Sequence, residues 1–169
     1  LRLGVCTTSS EKAADAIAYQ ILKDISFEVV LAGDVVEKKK PAPDIYNMAL
    51  EKTGLRPENC FVVEDSRNGV LAGKAAGMRV LATTNVYTEK EDLSPAEVIV
   101  SCLGDPGGEK ALLRKGPAEA VRDGLVHGQA DPLPEKLGFQ ARPRLGQRQR
   151  QIAVSDALAH RIAVAAGSD

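Results

Sequence analysis

Residues 60–69 read Cys60-Phe61-Val62-Val63-Glu64-Asp65-Ser66-Arg67-Asn68-Gly69. Four apolar residues follow one another without alternation and stop at two adjacent carboxylates. An unbroken apolar run of this length fits a parallel strand buried on both faces. Two acids at the end of such a strand are costly to bury without a partner. In open α/β sheets that same end is where ligands bind. Ser66 then starts a helix that stops near Gly77, and residues 79–82 form the next strand.

The same alternation extends in both directions. Upstream, residues 1–6 read as a buried strand. Thr8-Ser9-Ser10-Glu11 has the spacing of a capping box, with Thr8 as the cap. Ala13, Ile17 and Ile21 then mark one helix face. A second strand spans residues 27–31, followed by a charged loop over residues 33–40. Pro41-Ala42-Pro43 interrupts regular structure, with Pro43 suited to the first turn of a helix that carries Ile45, Met48 and Ala49 and ends at Gly54. Downstream, residues 97–102 form a further short strand. Strand and helix alternating at this spacing predict an α/β fold, a Rossmann-like parallel sheet with helices on both faces.

The order weakens near Leu113. From Gly116 to Arg150, Pro, Gly, Gln and Arg dominate and periodicity is lost. The chain thus divides into a core over residues 1–115 and a loosely structured or helical tail over residues 116–169. Residues 152–166 are expected to form one Ala-rich helix.

Composition narrows the function classes. The 169 residues carry a formal net charge of -1, so no global field draws the chain to nucleic acid or a membrane surface. The three cysteines, Cys6, Cys60 and Cys102, are widely spaced, which suggests neither a disulfide framework nor a CxxC metal site. A reducing, cytoplasmic setting is expected. No apolar run approaches the length of a membrane span, and residues 1–10 lack the pattern of a signal peptide. Arg142, Arg144, Arg148 and Arg150 form a basic stretch, but without aromatic interleaving beyond Phe139 or a recognition motif, so nucleic acid is not the expected partner.

Three features carry chemistry. Thr7, Thr8, Ser9 and Ser10 cluster between a strand and a helix start, a setting that serves either as an anion site or simply as a cap. Lys40 precedes Pro41, which holds it in an extended backbone; its ammonium either neutralises phosphoryl oxygens or belongs to a solvated run with Lys38 and Lys39. Glu64 and Asp65 suit Mg²⁺, which takes one or two carboxylates together with water and phosphate oxygens; alternatively Asp65 or Ser66 caps the next helix.

Taken in order, GVCTTSSEK, KKKPAPDIYNMAL and VVEDSRNGVLAGKAAGM resemble the haloacid dehalogenase superfamily, in its β-phosphoglucomutase-like branch of sugar-phosphate phosphatases and phosphomutases. The resemblance covers residues 1–82 well, weakens to Leu113 and fails beyond. It implies that Thr7 binds the transferring phosphoryl group, with Thr8 beside it. It implies that Lys40 holds nucleophile and phosphate in place and that Glu64 and Asp65 bind Mg²⁺. Ser66 and Gly69 are given helix-start and close-packing roles. A small phosphorylated metabolite is the implied partner.

The departure is as informative. The family carries its aspartate nucleophile and acid/base aspartate in a DxDGT motif after its first strand. No Asp-x-Asp occurs in this chain. The cap domain of this branch is missing too, so the sheet is expected to be incomplete and the chain to be a fragment, inactive alone. In the family sheet that first strand lies between the strands carrying Thr7 and Glu64. Its absence predicts unpaired edges and self-association through them. A non-catalytic phosphate- or metal-binding remnant, or a protein acting on nucleic acid through the arginine tail, stay open as alternatives.

Overall fold

The computed structural model describes residues 2–104, 110–116, 128–129, 152–155 and 164–166. The strands are β1 (Gly4–Cys6), β2 (Val29–Leu31), β3 (Cys60–Glu64), β4 (Arg79–Thr83), β5 (Val98–Val100), β6 (Ala111–Lys115), β7 (Gly128–Gln129), β8 (Ile152–Ser155) and β9 (Val164–Ala166). The helices are α1 (Glu11–Asp15), continued by a π-helical stretch (Ala16–Ile21), then α2 (Asp44–Thr53) and α3 (Arg67–Ala75). The strand order is β2-β1-β8-β9-β3-β4-β5-β6-β7, with β8 also paired to β3. The pairs β1–β2, β3–β4 and β4–β5 are parallel, and β6 joins β5 antiparallel. The α/β class and the parallel sheet are therefore as expected.

The predicted elements form for the reasons read from sequence, with local shifts. Gly54 ends α2 in the left-handed region, at φ 67°, where a residue with a Cβ is strained. Ser66 caps α3, its side chain accepting the Gly69 N–H at 3.2 Å. At α1 the cap is Ser10, not Thr8: its hydroxyl accepts from the Ala13 N–H at 3.3 Å. Thr8 lies two residues before that cap, within a turn in which the Ser9 N–H donates to Thr7 Oγ1 at 3.0 Å.

Alternation along the central strands divides the core. Cys60 and Val62 of β3 join Val80 and Ala82 of β4, with Ile45, Tyr46 and Ala49 of α2 and Val70 and Ala72 of α3. Val63 and Leu81, one residue out of phase, pack on the other side with Val98, Val100 and Ala111. Gly73 permits the close approach of α3, since a Cβ there would stand 2.9 Å from Val80 Cγ2.

The helix expected over residues 152–166 does not form at either end. Ile152–Ser155 and Val164–Ala166 are strands of the same sheet. β8 lies parallel to β1, with Gly4 opposite Ala153 and Cys6 opposite Ser155, and parallel to β3, with Val62 opposite Ala153 and Val63 opposite Val154. β9 runs antiparallel to β3 over Cys60, Phe61 and Val62. Helix propensity in an Ala-rich stretch is worth less than the backbone hydrogen bonds that the facing edges of β1 and β3 supply. β8 stands in the place between the Thr7 and Glu64 strands. The edges from which self-association was expected are thus paired within the chain. Arg142, Arg144, Arg148 and Arg150 lie outside the described residues. Among the described residues no helix is long and apolar enough to cross a membrane.

Candidate active site

Parallel β1 and β3 end on the same side of the sheet, which brings Thr7 and the Glu64-Asp65 pair to one rim. Thr7, Glu64 and Asp65 are all buried, at 3%, 2% and 7% exposure. They are the buried polar or charged residues of the described core, and they gather at this rim.

Lys40 resolves its two readings here. Its neighbour Lys39 pairs at the surface with Asp34. Lys40 instead turns inward, its side chain 5% exposed, and its Nζ donates to the Cys6 carbonyl at 2.9 Å and to Glu64 Oε1 at 3.0 Å. One ammonium thereby joins the end of β1 to the end of β3. Burying a charge is tolerable only when it is paired and hydrogen-bonded, and this pair meets both conditions.

Glu64 is held from three directions. The phenol of Tyr46, on α2, donates to Glu64 Oε1 at 2.6 Å. Lys40 donates to the same oxygen and also lies 5.1 Å from the centre of the Tyr46 ring. On α3, a Cβ at Gly69 would fall 1.9 Å from Glu64 Cδ, so the carboxylate sits in the space that glycine leaves. Glu64 Oε2 accepts the Asp65 N–H at a long 3.4 Å. Asp65 is fixed through Oδ2, which accepts from Asn85 Nδ2 at 2.6 Å. Asn85 is itself oriented, since its Oδ1 accepts the N–H groups of Tyr87 at 2.8 Å and Thr88 at 3.0 Å.

The structure therefore brings Lys40 and Glu64 into direct contact, with Thr7 and Asp65 as chain neighbours of the groups they tie together. Thr8 is exposed on the loop after β1. Tyr46 and Asn85 were not anticipated. Tyr46 sits inside the KPAPDIY stretch but outside the apolar face assigned to its helix. Asn85 follows β4, and only the pairing of β4 with β3 sets it beside Asp65.

A family model for haloacid dehalogenase-like hydrolases matches residues 1–77. A CBBY-like protein of Arabidopsis thaliana is 45% identical over 124 residues, 68% of this chain and 39% of that protein. Among solved structures, CbbY from Rhodobacter sphaeroides in complex with phosphate superposes with a TM-score of 0.55 at 38% identity, over 59% of this chain and 45% of that one. A putative β-phosphoglucomutase from Thermotoga maritima gives 0.53 at 30% identity, over 59% of this chain and 48% of that one.

The chain belongs to the haloacid dehalogenase-like hydrolases. Its neighbours set it in the β-phosphoglucomutase-like branch of that family. It spans less than half the length of these relatives. The rim described above lies within the matched residues, apart from Asn85.

Proposed function

We propose that this chain supplies the phosphate- and Mg²⁺-binding half of a phosphoryl-transfer site acting on a small phosphorylated metabolite, sugar phosphates among them. The observation that carries the reading is Lys40, drawn out of a surface lysine run and buried where β1, β3 and the Glu64 carboxylate converge. An ammonium fixed at that point neutralises phosphoryl oxygens without reorganising. Thr7 and Thr8 follow Cys6, whose carbonyl Lys40 holds, and add hydroxyl groups to that end of β1. The R. sphaeroides relative, whose structure holds phosphate, supports phosphate as a ligand.

The residues fit Mg²⁺ in part. Among the described residues no cluster of three or more His, Cys, Asp or Glu is present. Glu64 and Asp65 remain, and Mg²⁺ commonly binds one or two carboxylates while keeping waters and phosphate oxygens. Glu64 Oε1 is committed to Lys40 and Tyr46, which leaves Oε2 and Asp65 as the donors toward a cation. Bound there, Mg²⁺ would offset phosphoryl charge. Lys40 balances Glu64, Asn85 orients Asp65, and Thr7 marks the phosphate end of the rim.

No Asp-x-Asp accompanies this rim, so the reading assigns it binding and charge neutralisation, and assigns the nucleophile elsewhere. Calorimetric titration of the chain with inorganic phosphate and with Mg²⁺ tests it. Both are expected to bind, Mg²⁺ at roughly millimolar strength, or about 4 kcal/mol. Lys40→Met should abolish phosphate binding, and the chain alone should not hydrolyse p-nitrophenyl phosphate. Phosphate binding unchanged in Lys40→Met would overturn the reading. Mg²⁺-dependent turnover by the chain itself, lost in Asp65→Asn, would place the nucleophile within these 169 residues.

A further inference from the structure

Glu64 raises a question that charge pairing with Lys40 does not answer. A carboxylate bound through one oxygen to one donor still turns, because the last torsion of a glutamate side chain is broad and roughly two-fold. Here two donors meet on Oε1 from different elements: the Lys40 ammonium at 3.0 Å and the Tyr46 phenol at 2.6 Å. Hydrogen bonds to an ionised acceptor are shorter and stronger than neutral ones, and the phenol contact is the shorter of the two. Tyr46 is fully buried, in the first turn of α2, where its ring packs in the main core and under the Lys40 ammonium. Its hydroxyl alone reaches the rim.

We infer that Tyr46 is a positioning residue for the divalent-cation site: it clamps Glu64 Oε1 together with Lys40 and thereby presents Oε2 to the cation. The inference rests on the Mg²⁺ reading above. Three surfaces define the pose. Tyr46 anchors the carboxylate from α2, Lys40 draws it toward β1, and the missing Cβ of Gly69 receives it against α3. Removing the hydroxyl leaves the ring, its packing and the lysine in place, but leaves Oε1 with one donor. Oε2 then loses its fixed direction, and the cation loses a preoriented ligand.

The test uses the full chain and Mg²⁺ alone, followed by titration calorimetry for the wild type, Tyr46→Phe and Asp65→Asn. Tyr46→Phe is expected to weaken Mg²⁺ about tenfold, the scale of one hydrogen bond to a charged group. Asp65→Asn is expected to abolish binding. If Tyr46→Phe binds as tightly as the wild type while Asp65→Asn does not bind, the positioning role falls and the metal reading stands. A wild type that takes up no Mg²⁺, or an Asp65→Asn variant that binds normally, overturns both. A second measurement needs no substitution. With tyrosine labelled at its ring Cζ, the Tyr46 resonance of the wild type should move on Mg²⁺ addition as electron density leaves Glu64. The exposed Tyr19 and Tyr87 should stay fixed and serve as internal controls. A Tyr46 resonance unmoved at saturating Mg²⁺ would overturn the inference even if the phenylalanine variant failed to fold.

Discussion

Lys40→Met keeps the length of the side chain and removes its charge. Glu64 would then be buried with the Tyr46 hydroxyl and one distant N–H as donors. Breaking a buried pair from one side costs about 3–5 kcal/mol, so urea unfolding should show a loss of that order. A loss below about 1 kcal/mol, the range of surface pairs, would mean that water reaches the carboxylate. Gly69→Ala tests the opposite error, too much volume. Its Cβ would stand 1.9 Å from Glu64 Cδ, so the carboxylate would have to shift away from Lys40 and Tyr46, which hold its Oε1. Overpacking of this kind costs about 1–3 kcal/mol, and the displaced carboxylate should also lose its Mg²⁺ affinity. An unfolding midpoint equal to the wild type would reveal another seat for Glu64. At this scale the sequence exposed its acidic residues well. Glu64 and Asp65 stand out as charges at the end of an apolar strand, whereas Lys40 is equally compatible with a solvated run until its contacts are seen. Tyr46 does not stand out, because an aromatic residue on a helix reads as core, and its hydroxyl acquires meaning only from what lies 18 residues away.

Among the elements, β1 and β2 are short, three residues each, and lean on side-chain ties. Arg2 donates through Nε to Glu28 Oε2 at 2.6 Å and through Nη2 to Glu28 Oε1, and it also reaches the Thr53 carbonyl at the end of α2 at 2.8 Å. The Arg2 hydrogen bonds hold the Glu28 carboxyl below its ordinary value of 4.5. A depressed carboxyl stabilises the fold above its unfolded value and loses that contribution as pH falls through its folded value. Both side chains are about a third exposed, at 36% and 35%, so screening limits the effect to under about 1 kcal/mol. Glu28→Gln should therefore be slightly less stable than the wild type at pH 7, and the two should converge below pH 4.5. A difference that persists undiminished at pH 3 would assign the effect to shape rather than charge. The Ser66 cap of α3 is a second tie at this scale. Ser66→Ala should cost about 1 kcal/mol in thermal or urea unfolding. A cost near zero would show that water replaces the hydroxyl at Gly69.

For the molecule as a whole, the decisive feature is β8 between β1 and β3. A chain ending at residue 116 would leave both of those strands with an open apolar edge, and such edges promote association. The truncated chain is expected to elute as oligomers in size-exclusion chromatography with light scattering, while the full chain elutes smaller. Val154→Pro is the sharper probe. Val154 pairs with Val5 on one side and Val63 on the other, and proline removes its N–H from a central ladder. The variant should melt earlier and resemble the truncated chain. If both behave as the wild type does, β8 contributes nothing to closing the sheet.

The sequence alone determined the parallel α/β plan and the positions of α2 and α3, and it picked out Thr7, Lys40, Glu64 and Asp65 as candidates while leaving a capping or solvated reading open for each. Each of these follows from local rules: apolar run length, caps, a proline beside a lysine, two acids at a strand end. Only the tertiary structure decided how the rim is assembled and what fills the centre of the sheet. Strand order set Asn85 against Asp65 and Tyr46 against Glu64, contacts between residues far apart in the chain. In the same way, Ile152 and Val154 suit a strand by themselves, but the Ala-rich stretch around them reads as helix. They form a strand because β1 and β3 each present a strand edge whose backbone groups only a neighbouring strand can pair.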